Sequence, residues 1–253
     1  MRYFLRFIQV IYSCYAFTVF LALMLLLFPL IVIASFFGMI RGGNMIYRLC
    51  TFWAEASLFF WGIHHTNLYE VRHDPSHPVI FVFNHISYMD IPILLKSFRG
   101  QRIRVLGKAE MSRIPVFGYI YKSAAVTVDR SSPSNRAKSV KILTAVLRNN
   151  ISVVIAPEGT FNLTNAPLKE FYDGAFRIAI ETNTPIKPVI FLDAYDRLNY
   201  KSIFSLTPGK SRAVFLEEVE TSGYQDTEVE MLKQRVYSIM EKALIKYKAS
   251  WIK

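Results

Sequence analysis

The longest apolar stretch of the chain lies near its N-terminus. No charged residue occurs from Phe7 to Ile40, a run of 34 residues. As a helix this run would measure about 50 Å, whereas the hydrocarbon core of a bilayer is about 30 Å thick. Pro29 and Gly38 are places where such a helix can bend. The pattern predicts either one long tilted helix that crosses a membrane and continues along its surface, or two shorter helices that enter and leave one leaflet.

The next segment, Asn44 to Ile63, carries Trp53 and Trp61 beside Arg48 and Glu55. This composition is typical of a helix anchored by aromatic residues at a membrane surface, and equally of a helix packed on a folded domain. We therefore expect an N-terminal region of membrane-anchoring helices over residues 1–66.

From residue 67 to residue 253, short apolar runs of strand length alternate with segments of helical periodicity. The runs expected to form strands are Val79 to Phe83, Arg102 to Leu106, Ala124 to Val128, Ile151 to Ala156, Ile186 to Phe191 and Arg212 to Val219. Helices are expected from Asp90 to about Phe98, from Gly174 to about Glu181, and after a capping-box spacing at Thr227 and Glu230. The alternation predicts an α/β domain with a mixed, largely parallel sheet flanked by helices.

One predicted strand ends abruptly in the polar cluster Asn84-His85-Ile86-Ser87-Tyr88-Met89-Asp90. Proline is tolerated only in the first turn of a helix, so Pro92 places Asp90 near a helix start. On a continuous helix His85 and Asp90 would point about 140° apart, so they meet only if the chain bends between them. An imidazole held by a carboxylate is a general base. The spacing alone leaves open a histidine that merely makes a hydrogen bond in a turn.

Three further segments follow in order along the chain. Arg130 follows a predicted strand, Glu158-Gly159-Thr160 follows the next, and Pro188 lies inside a third. Together with His85 and Asp90, this ordered set resembles the glycerophospholipid acyltransferase family, whose best-known members are the 1-acylglycerol-3-phosphate acyltransferases. The resemblance covers about residues 70 to 192.

The resemblance implies the glycerolipid acyltransferase fold and an acyl transfer that needs no metal ion and no cofactor. A fatty acyl group would pass from a coenzyme A or acyl carrier protein thioester to the 2-hydroxyl of 1-acyl-sn-glycerol 3-phosphate, giving phosphatidic acid. His85 would be the base and Asp90 would orient it. The residues implied in binding the acceptor, with one further lysine as a candidate, are Arg130, Glu158, Gly159, Thr160 and Lys108. Membrane lipids would be partners, and the domain would face the cytoplasm from an inner membrane.

Two positions depart from the family pattern. The family often has an arginine after the glutamate-glycine-threonine turn and a lysine before the glycine that opens the next helix, where this chain has Phe161 and Asp173. Either Arg130, Lys108 and Lys169 supply the missing positive charge, or the acceptor is a phosphate-free lysolipid such as a lyso-aminolipid. An alternative of another class is a non-catalytic membrane protein that binds lipids or acyl carriers.

The positive charge of the chain is concentrated in one segment. The formal net charge is +11, and twelve Lys or Arg against two acidic residues lie between Lys96 and Arg148. Anionic lipid headgroups, substrate phosphates or an acidic carrier protein would each fit such a surface. Nucleic acid is not expected as a partner, because no recognition motif accompanies the charge.

Neither the cysteines nor the histidines show a metal-binding spacing. Cys14 and Cys50 lie in apolar surroundings, as expected for reduced packing residues. His73 and His77 are four residues apart, but Pro75 would break any helix that aligned them. On this basis the sequence predicts no metal site.

Overall fold

Eight α-helices and seven strands are formed by the residues described in the computed structural model of the chain, 2–128 and 133–252. The helices are α1 (Arg2–Ser35), α2 (Gly43–Phe60), α3 (Asp90–Ser97), α4 (Phe117–Ala124), α5 (Pro133–Arg148), α6 (Gly174–Glu181), α7 (Ala194–Arg197) and α8 (Val229–Lys246). The strands are β1 (Ile63–Tyr69), β2 (Ile80–Phe83), β3 (Ile103–Lys108), β4 (Ala125–Val128), β5 (Ser152–Ile155), β6 (Ile186–Phe191) and β7 (Gly209–Phe215). Shorter helical turns occupy Gly38–Gly42, Ala109–Arg113 and Asp226–Glu228.

All seven strands join one sheet in the order β1-β7-β6-β2-β5-β3-β4. Strands β2 to β6 are mutually parallel, whereas β7 pairs antiparallel to β6 and β1 runs parallel to β7. Every residue of β2, β5 and β6 is buried, which is why these strands are nearly continuous apolar runs and not alternating ones. The predicted α/β fold with a largely parallel sheet is confirmed.

Strand β1 lies at one edge of the sheet and pairs with β7 along its whole length, from Ile63 opposite Gly209 to Tyr69 opposite Phe215. The predicted division between residues 66 and 67 therefore falls inside a strand. Sequence reasoning missed β1 because an edge strand is only partly buried, and this one is polar in its middle residues.

Helices α1 and α2 form an antiparallel hairpin. The indole N–H of Trp61 donates to the carbonyl of Ala16 at 2.9 Å, and that of Trp53 donates to the carbonyl of Phe20 at 3.1 Å. Helix α1 continues through Pro29, and the chain turns back only after Ser35, where Gly38 has a φ of +77°. By length and composition, α1 is the one helix in the described part of the chain that is apolar enough to cross a membrane.

Helix α2 also packs against the sheet domain. Its Glu55 carboxylate accepts from Lys96 Nζ of α3 at 2.7 Å and lies 3.0 Å from Arg99. Leu58 of α2 is buried in the same apolar cluster as residues of β2 and β5, whereas Trp53 is buried in a cluster formed mainly by α1 and α2. Of the two interpretations that the sequence left open for this segment, the packed helix is the one observed.

The C-terminal helix begins differently from the prediction. The capping box is formed by Gln225 and Glu228, two residues earlier than the predicted pair Thr227 and Glu230. The backbone N–H of Gln225 donates to the Glu228 carboxylate at 2.8 Å. The short helical turn Asp226–Glu228 that this box opens leads directly into α8, so both spacings exist in the sequence and only one is used.

Candidate active site

The predicted site residues gather where parallel strands end. The parallel strands β2, β3, β4 and β5 all have their carboxyl ends on the same side of the sheet, and β2 neighbours β5. His85 follows β2, and Glu158 follows β5, so these two segments meet. Lys108 ends β3, is exposed, and is separated from β2 by β5. Arg130 lies outside the described residues.

His85 and Asp90 form a hydrogen-bonded pair. The Nδ1 atom of His85 lies 2.8 Å from Oδ2 of Asp90, which is fully buried, while 21% of the histidine side chain is exposed. The same oxygen accepts the backbone N–H groups of Ile86 at 2.8 Å and Ser87 at 2.9 Å. Helix α3 begins at Asp90, so the bend required between the two side chains is present.

This arrangement fixes the protonation of the neutral imidazole. A carboxylate oxygen accepts hydrogen bonds, so Nδ1 carries the proton and Nε2 carries the lone pair. No described residue makes a hydrogen bond to Nε2. The arrangement is that of a general base whose accepting atom is open to a substrate.

Buried polar groups hold the turn that carries the pair. The Asn84 side chain donates to the carbonyl of Phe191 at 3.1 Å and accepts the N–H of Phe191 at 2.7 Å. The Ser87 hydroxyl donates to the carbonyl of Leu198 and accepts the N–H of Met89 at 2.9 Å. The turn is therefore tied to the end of β6 and to the chain that follows α7, contacts that no local pattern in the sequence indicates.

Glu158 lies behind the turn and is bonded to the protein backbone. Its side chain is fully buried; Oε1 accepts the N–H of His85 at 2.8 Å and Oε2 accepts the N–H of Lys169 at 2.9 Å. Burial raises the pKa of Glu158 to about 8, although the hydrogen bonds from these two N–H groups act to lower it. Its carboxyl group thus joins the backbone of His85 to that of Lys169; its contact with an acceptor stays a prediction.

Gly159 and Thr160 follow in a tight turn. Gly159 has a φ of +70°, which favours glycine at this position, and its N–H donates to the carbonyl of Ala156 at 3.1 Å. Lys169 Nζ donates to the Thr160 hydroxyl at 2.8 Å. The turn therefore carries a positive charge that comes from a residue nine positions further along the chain.

Phe161 covers one side of the base. Its ring centroid lies 4.4 Å from that of His85 and 4.9 Å from that of Tyr88, both in edge-on arrangements. The next residue, Asn162, donates its N–H to the carbonyl of His85 at 2.7 Å, which fixes the position of this aromatic side chain. The imidazole thus has an apolar neighbour where the resemblance predicts a cation.

Asp173, the second departure, is explained by helix packing. Its carboxylate lies 3.0 Å from Lys233 Nζ of α8 and 3.2 Å from Arg177 of α6. These two cations hold the pKa of Asp173 below its usual value, with the hydrogen bond from Lys233 the larger cause. The aspartate joins α6 to α8, and its presence says nothing about the acceptor.

The structure brings together one cluster of potential metal ligands among the described residues. His73, His77 and Glu218 have donor atoms that lie within 4.8 Å of one another. Pro75 does not keep the two imidazoles apart, because a loop and not a helix brings them together; the expectation drawn from this proline is wrong. They lie near the amino ends of β2 and β6, at the opposite edge of the sheet from His85.

A family model described as Acyltransferase matches residues 50–192. The human protein named 1-acyl-sn-glycerol-3-phosphate acyltransferase beta is 28% identical over 224 residues, which cover 85% of this chain and 78% of that protein. A Helicobacter pylori protein named 1-acyl-sn-glycerol-3-phosphate acyltransferase is 25% identical over 189 residues, 74% of this chain and 77% of that protein. For a Cocos nucifera protein of the same name, identity is 26% over 162 residues, which cover 63% of this chain and 52% of that protein, about half of its length.

A solved structure is similar over the whole chain. The crystal structure of the 1-acyl-sn-glycerophosphate (LPA) acyltransferase from Thermotoga maritima superposes with a TM-score of 0.73, covering 100% of both chains at 22% identity. At this level of identity the similarity supports the fold. The N-terminal helices and the seven-stranded sheet are both included in it.

Proposed function

Since the chain belongs to the Acyltransferase family, we propose that it transfers a fatty acyl group from an acyl thioester to the 2-hydroxyl of 1-acyl-sn-glycerol 3-phosphate, giving phosphatidic acid. The observation that carries this proposal is the 2.8 Å contact between His85 Nδ1 and Asp90 Oδ2, with no hydrogen bond to Nε2 from the residues that the structure describes. The identity of the acceptor is inferred from the names of the relatives.

The geometry supports a direct transfer in which the acceptor alcohol is the nucleophile. Nε2 of His85 takes the hydroxyl proton as the alcohol oxygen attacks the thioester carbonyl, and Asp90 stabilises the imidazolium that forms. The tetrahedral intermediate then expels the thiolate, which recovers the proton from the imidazolium. One C–O bond forms, one C–S bond breaks, and the products are an ester and a free thiol of coenzyme A or acyl carrier protein.

The acceptor phosphate would bind at the turn that follows β5. Lys169 Nζ and the Thr160 hydroxyl, 2.8 Å apart, offer a cation and a hydrogen-bond donor beside Gly159. Lys169 would then supply the charge that Phe161 does not. Arg130 and Lys108 remain proposed contributors to phosphate binding on the strength of the family resemblance.

The α1–α2 hairpin would hold this site at a membrane. Many large apolar side chains of α1 are exposed, among them Phe17, Leu26 and Leu30. The lysolipid acceptor carries an acyl chain, so a bilayer is where it concentrates. An inner membrane with the domain on its cytoplasmic side, where acyl thioesters are made, completes the proposal.

The proposal is tested by supplying the purified protein with labelled acyl-coenzyme A or acyl carrier protein and a panel of lysolipids, with products identified by mass. We expect phosphatidic acid from 1-acyl-sn-glycerol 3-phosphate. Acylation only of phosphate-free lysolipids would overturn the assigned acceptor. Failure to consume either thioester with any acceptor would favour a non-catalytic protein that binds lipids or acyl carriers.

A phosphate-free acceptor, such as a lyso-aminolipid, is the second candidate. The observation in its favour is Phe161, whose ring lies 4.4 Å from the His85 ring in place of a cation. An apolar side chain there would suit an acceptor that brings no phosphate to this side of the base. The comparison of phosphorylated and phosphate-free acceptors separates the two candidates.

A further inference from the structure

The loop between β1 and β2 carries two histidines that converge on one carboxylate. His73 Nδ1 lies 3.1 Å from Oε1 of Glu218, and His77 Nε2 lies 3.2 Å from Oε2. The two imidazole rings are 5.6 Å apart and nearly perpendicular. Two distant segments of the chain therefore bring three groups together, with one nitrogen or oxygen atom from each lying within 4.8 Å of the others.

The chemistry of these groups suits a tetrahedral zinc site, and their donor atoms, all within 4.8 Å of one another, are close enough for a small adjustment of the side chains to bring them around one ion. Zinc binds histidine nitrogen and carboxylate oxygen at about 2.0–2.2 Å, so donor atoms around it lie about 3.3 Å apart. Two histidines and one glutamate are a recurrent set of zinc ligands. We propose that His73, His77 and Glu218 form a Zn²⁺ site.

The surroundings hold two of the three ligands in place. The His73 ring is almost fully buried and packs edge-on against Phe81, with ring centroids 5.3 Å apart. Lys187, which is fully buried, donates to the carbonyl of Val71 at 3.0 Å and lies 3.4 Å from Oε1 of Glu218. This contact orients the carboxylate, as groups behind metal ligands commonly do, and leaves Oε2 on the side of His77.

Access to the site comes through His77. Its side chain is 42% exposed, whereas those of the other two ligands are largely buried. Asp74 accepts the N–H of Ser76 at 2.9 Å and so shapes the turn between the two histidines. An ion can enter from solvent on this side, where water completes its coordination.

The consequence of binding would be structural. The loop that carries His73 and His77 leads directly into β2, whose far end carries His85, and Glu218 follows β7. A bound ion would join this loop to the segment after β7 at the edge of the sheet opposite His85. We expect it to raise stability by favouring the folded state and to take no part in the acyl transfer itself.

The test uses the full chain after chelation and removal of metal. Zn²⁺ is titrated while the thermal midpoint is followed, and Co²⁺ is then substituted so that a tetrahedral site gives visible absorption. We expect a rise in the midpoint that depends on zinc concentration, and the cobalt bands, in the wild type. A matched control is His64→Ala, because His64 is an exposed histidine of the neighbouring strand β1.

His77→Ala and Glu218→Gln should each lose the zinc response and the cobalt bands. His77→Ala is the milder change, since its side chain is the most exposed of the three. If the wild type shows no response, the contacts are hydrogen bonds only and the proposal fails. A response in folded His77→Ala equal to that of the wild type would overturn it as well.

Discussion

A single carboxylate oxygen organises the turn that carries the proposed base. Asp90 Oδ2 accepts from His85 Nδ1 and from the backbone N–H groups of Ile86 and Ser87. Three donors on one oxygen hold the imidazole and its supporting backbone as a unit. The aspartate is buried, so its charge acts on the imidazole through little intervening water.

Replacing Asp90 with asparagine tests this charge. The amide oxygen can still accept the three N–H groups, but it brings no negative charge to stabilise the imidazolium. We expect kcat of Asp90→Asn to fall by about 10²–10⁴-fold with a smaller change in KM. Steady-state kinetics on protein with an unchanged thermal midpoint would measure this, and a kcat near that of the wild type would remove Asp90 from the mechanism.

Glu158 gives the folded protein a characteristic dependence on pH. Its pKa is raised from 4.5 to about 8 by burial, so the folded state favours the protonated carboxyl more than the unfolded state does. The contribution to stability is complete below about pH 4.5 and is lost as the pH rises through about 8.

Glutamine cannot ionise, so Glu158→Gln should reduce the dependence of folding stability on pH between about 4.5 and 8. Relative to the variant, the wild type should lose stability as the pH increases between about 4.5 and 8. Denaturant melts across that range measure the difference. Parallel profiles for the two proteins would show that Glu158 keeps an ordinary pKa in the folded state.

For single residues, the sequence allows a prediction of contacts between residues that are close along the chain, but not of contacts between residues that are far apart along it. His85 and Asp90 are five positions apart, so their pairing could be predicted from spacing and a bend. Glu158 bonds to the backbone of His85, 73 positions away, and nothing near Glu158 in the sequence indicates this. The predicted contact with an acceptor came from the family resemblance, which names residues but not the direction in which they point.

The segment from β5 to α6 is the element that adapts the family pattern to this chain. Phe161 lies against the base, and Lys169 returns to the Thr160 hydroxyl. The resemblance predicts a cation directly after the turn, where this chain has Phe161. We propose that Lys169, further along the same loop, supplies the positive charge instead.

Lys169→Met should separate the two candidate acceptors. Loss of a hydrogen bond to a charged group costs about 1.5–3 kcal/mol, so we expect kcat/KM for 1-acyl-sn-glycerol 3-phosphate to fall by about 10–100-fold. A phosphate-free lysolipid should be affected by less than about threefold, since it offers no charge for the lysine to bind.

The matched control is Lys242→Met, an exposed lysine on α8. It should leave both acceptors unaffected. Equal losses on both acceptors in Lys169→Met would mean that Lys169 supports the fold of the turn and does not bind phosphate.

Elements with a strong pattern were predicted within a few residues. Strand β6 was expected at Ile186 to Phe191 and is found there, and α6 was expected from Gly174. Edge strand β1 was missed because its half-exposed residues carry no apolar alternation. The capping box of the last helix was displaced by two residues, since two similar spacings overlap and tertiary packing selects between them.

At the scale of the whole molecule, the helical hairpin and the sheet domain are one packed body. Helix α2 contacts α1 on one side and, through Glu55, the helix after β2 on the other. Within Phe7 to Ile40 the sequence left open one long helix or two shorter ones, because charge balance and length do not distinguish them. Helix α1 is continuous from Arg2 to Ser35, so the apolar run forms one long helix. The return of α2 along α1 depends on contacts such as that of Trp61 with Ala16, which are 45 positions apart.

Two acidic substitutions on the exposed face of α1 test membrane attachment. Leu26 and Leu30 are 69% and 50% exposed and lie one helical turn apart. Each aspartate would cost about 2.5–3.5 kcal/mol at the centre of a bilayer, so we expect Leu26→Asp/Leu30→Asp to move into the soluble fraction.

Flotation with vesicles measures this distribution. The control is Met231→Asp, because Met231 is 58% exposed on α8 and should not touch lipid. Continued flotation of the double variant would show that this face does not enter a membrane.

The central claim is that the imidazole of His85 takes the proton from the acceptor alcohol. His85→Ala removes only the imidazole, because the contacts with Glu158 and Asn162 are made by the backbone of this residue. The decisive measurement is the rate of acyl transfer by purified His85→Ala in vesicles, beside the wild type and His64→Ala. We expect a fall of about 10²–10⁴-fold with unchanged thermal stability and vesicle binding. Turnover by a folded His85→Ala close to that of the wild type would contradict it.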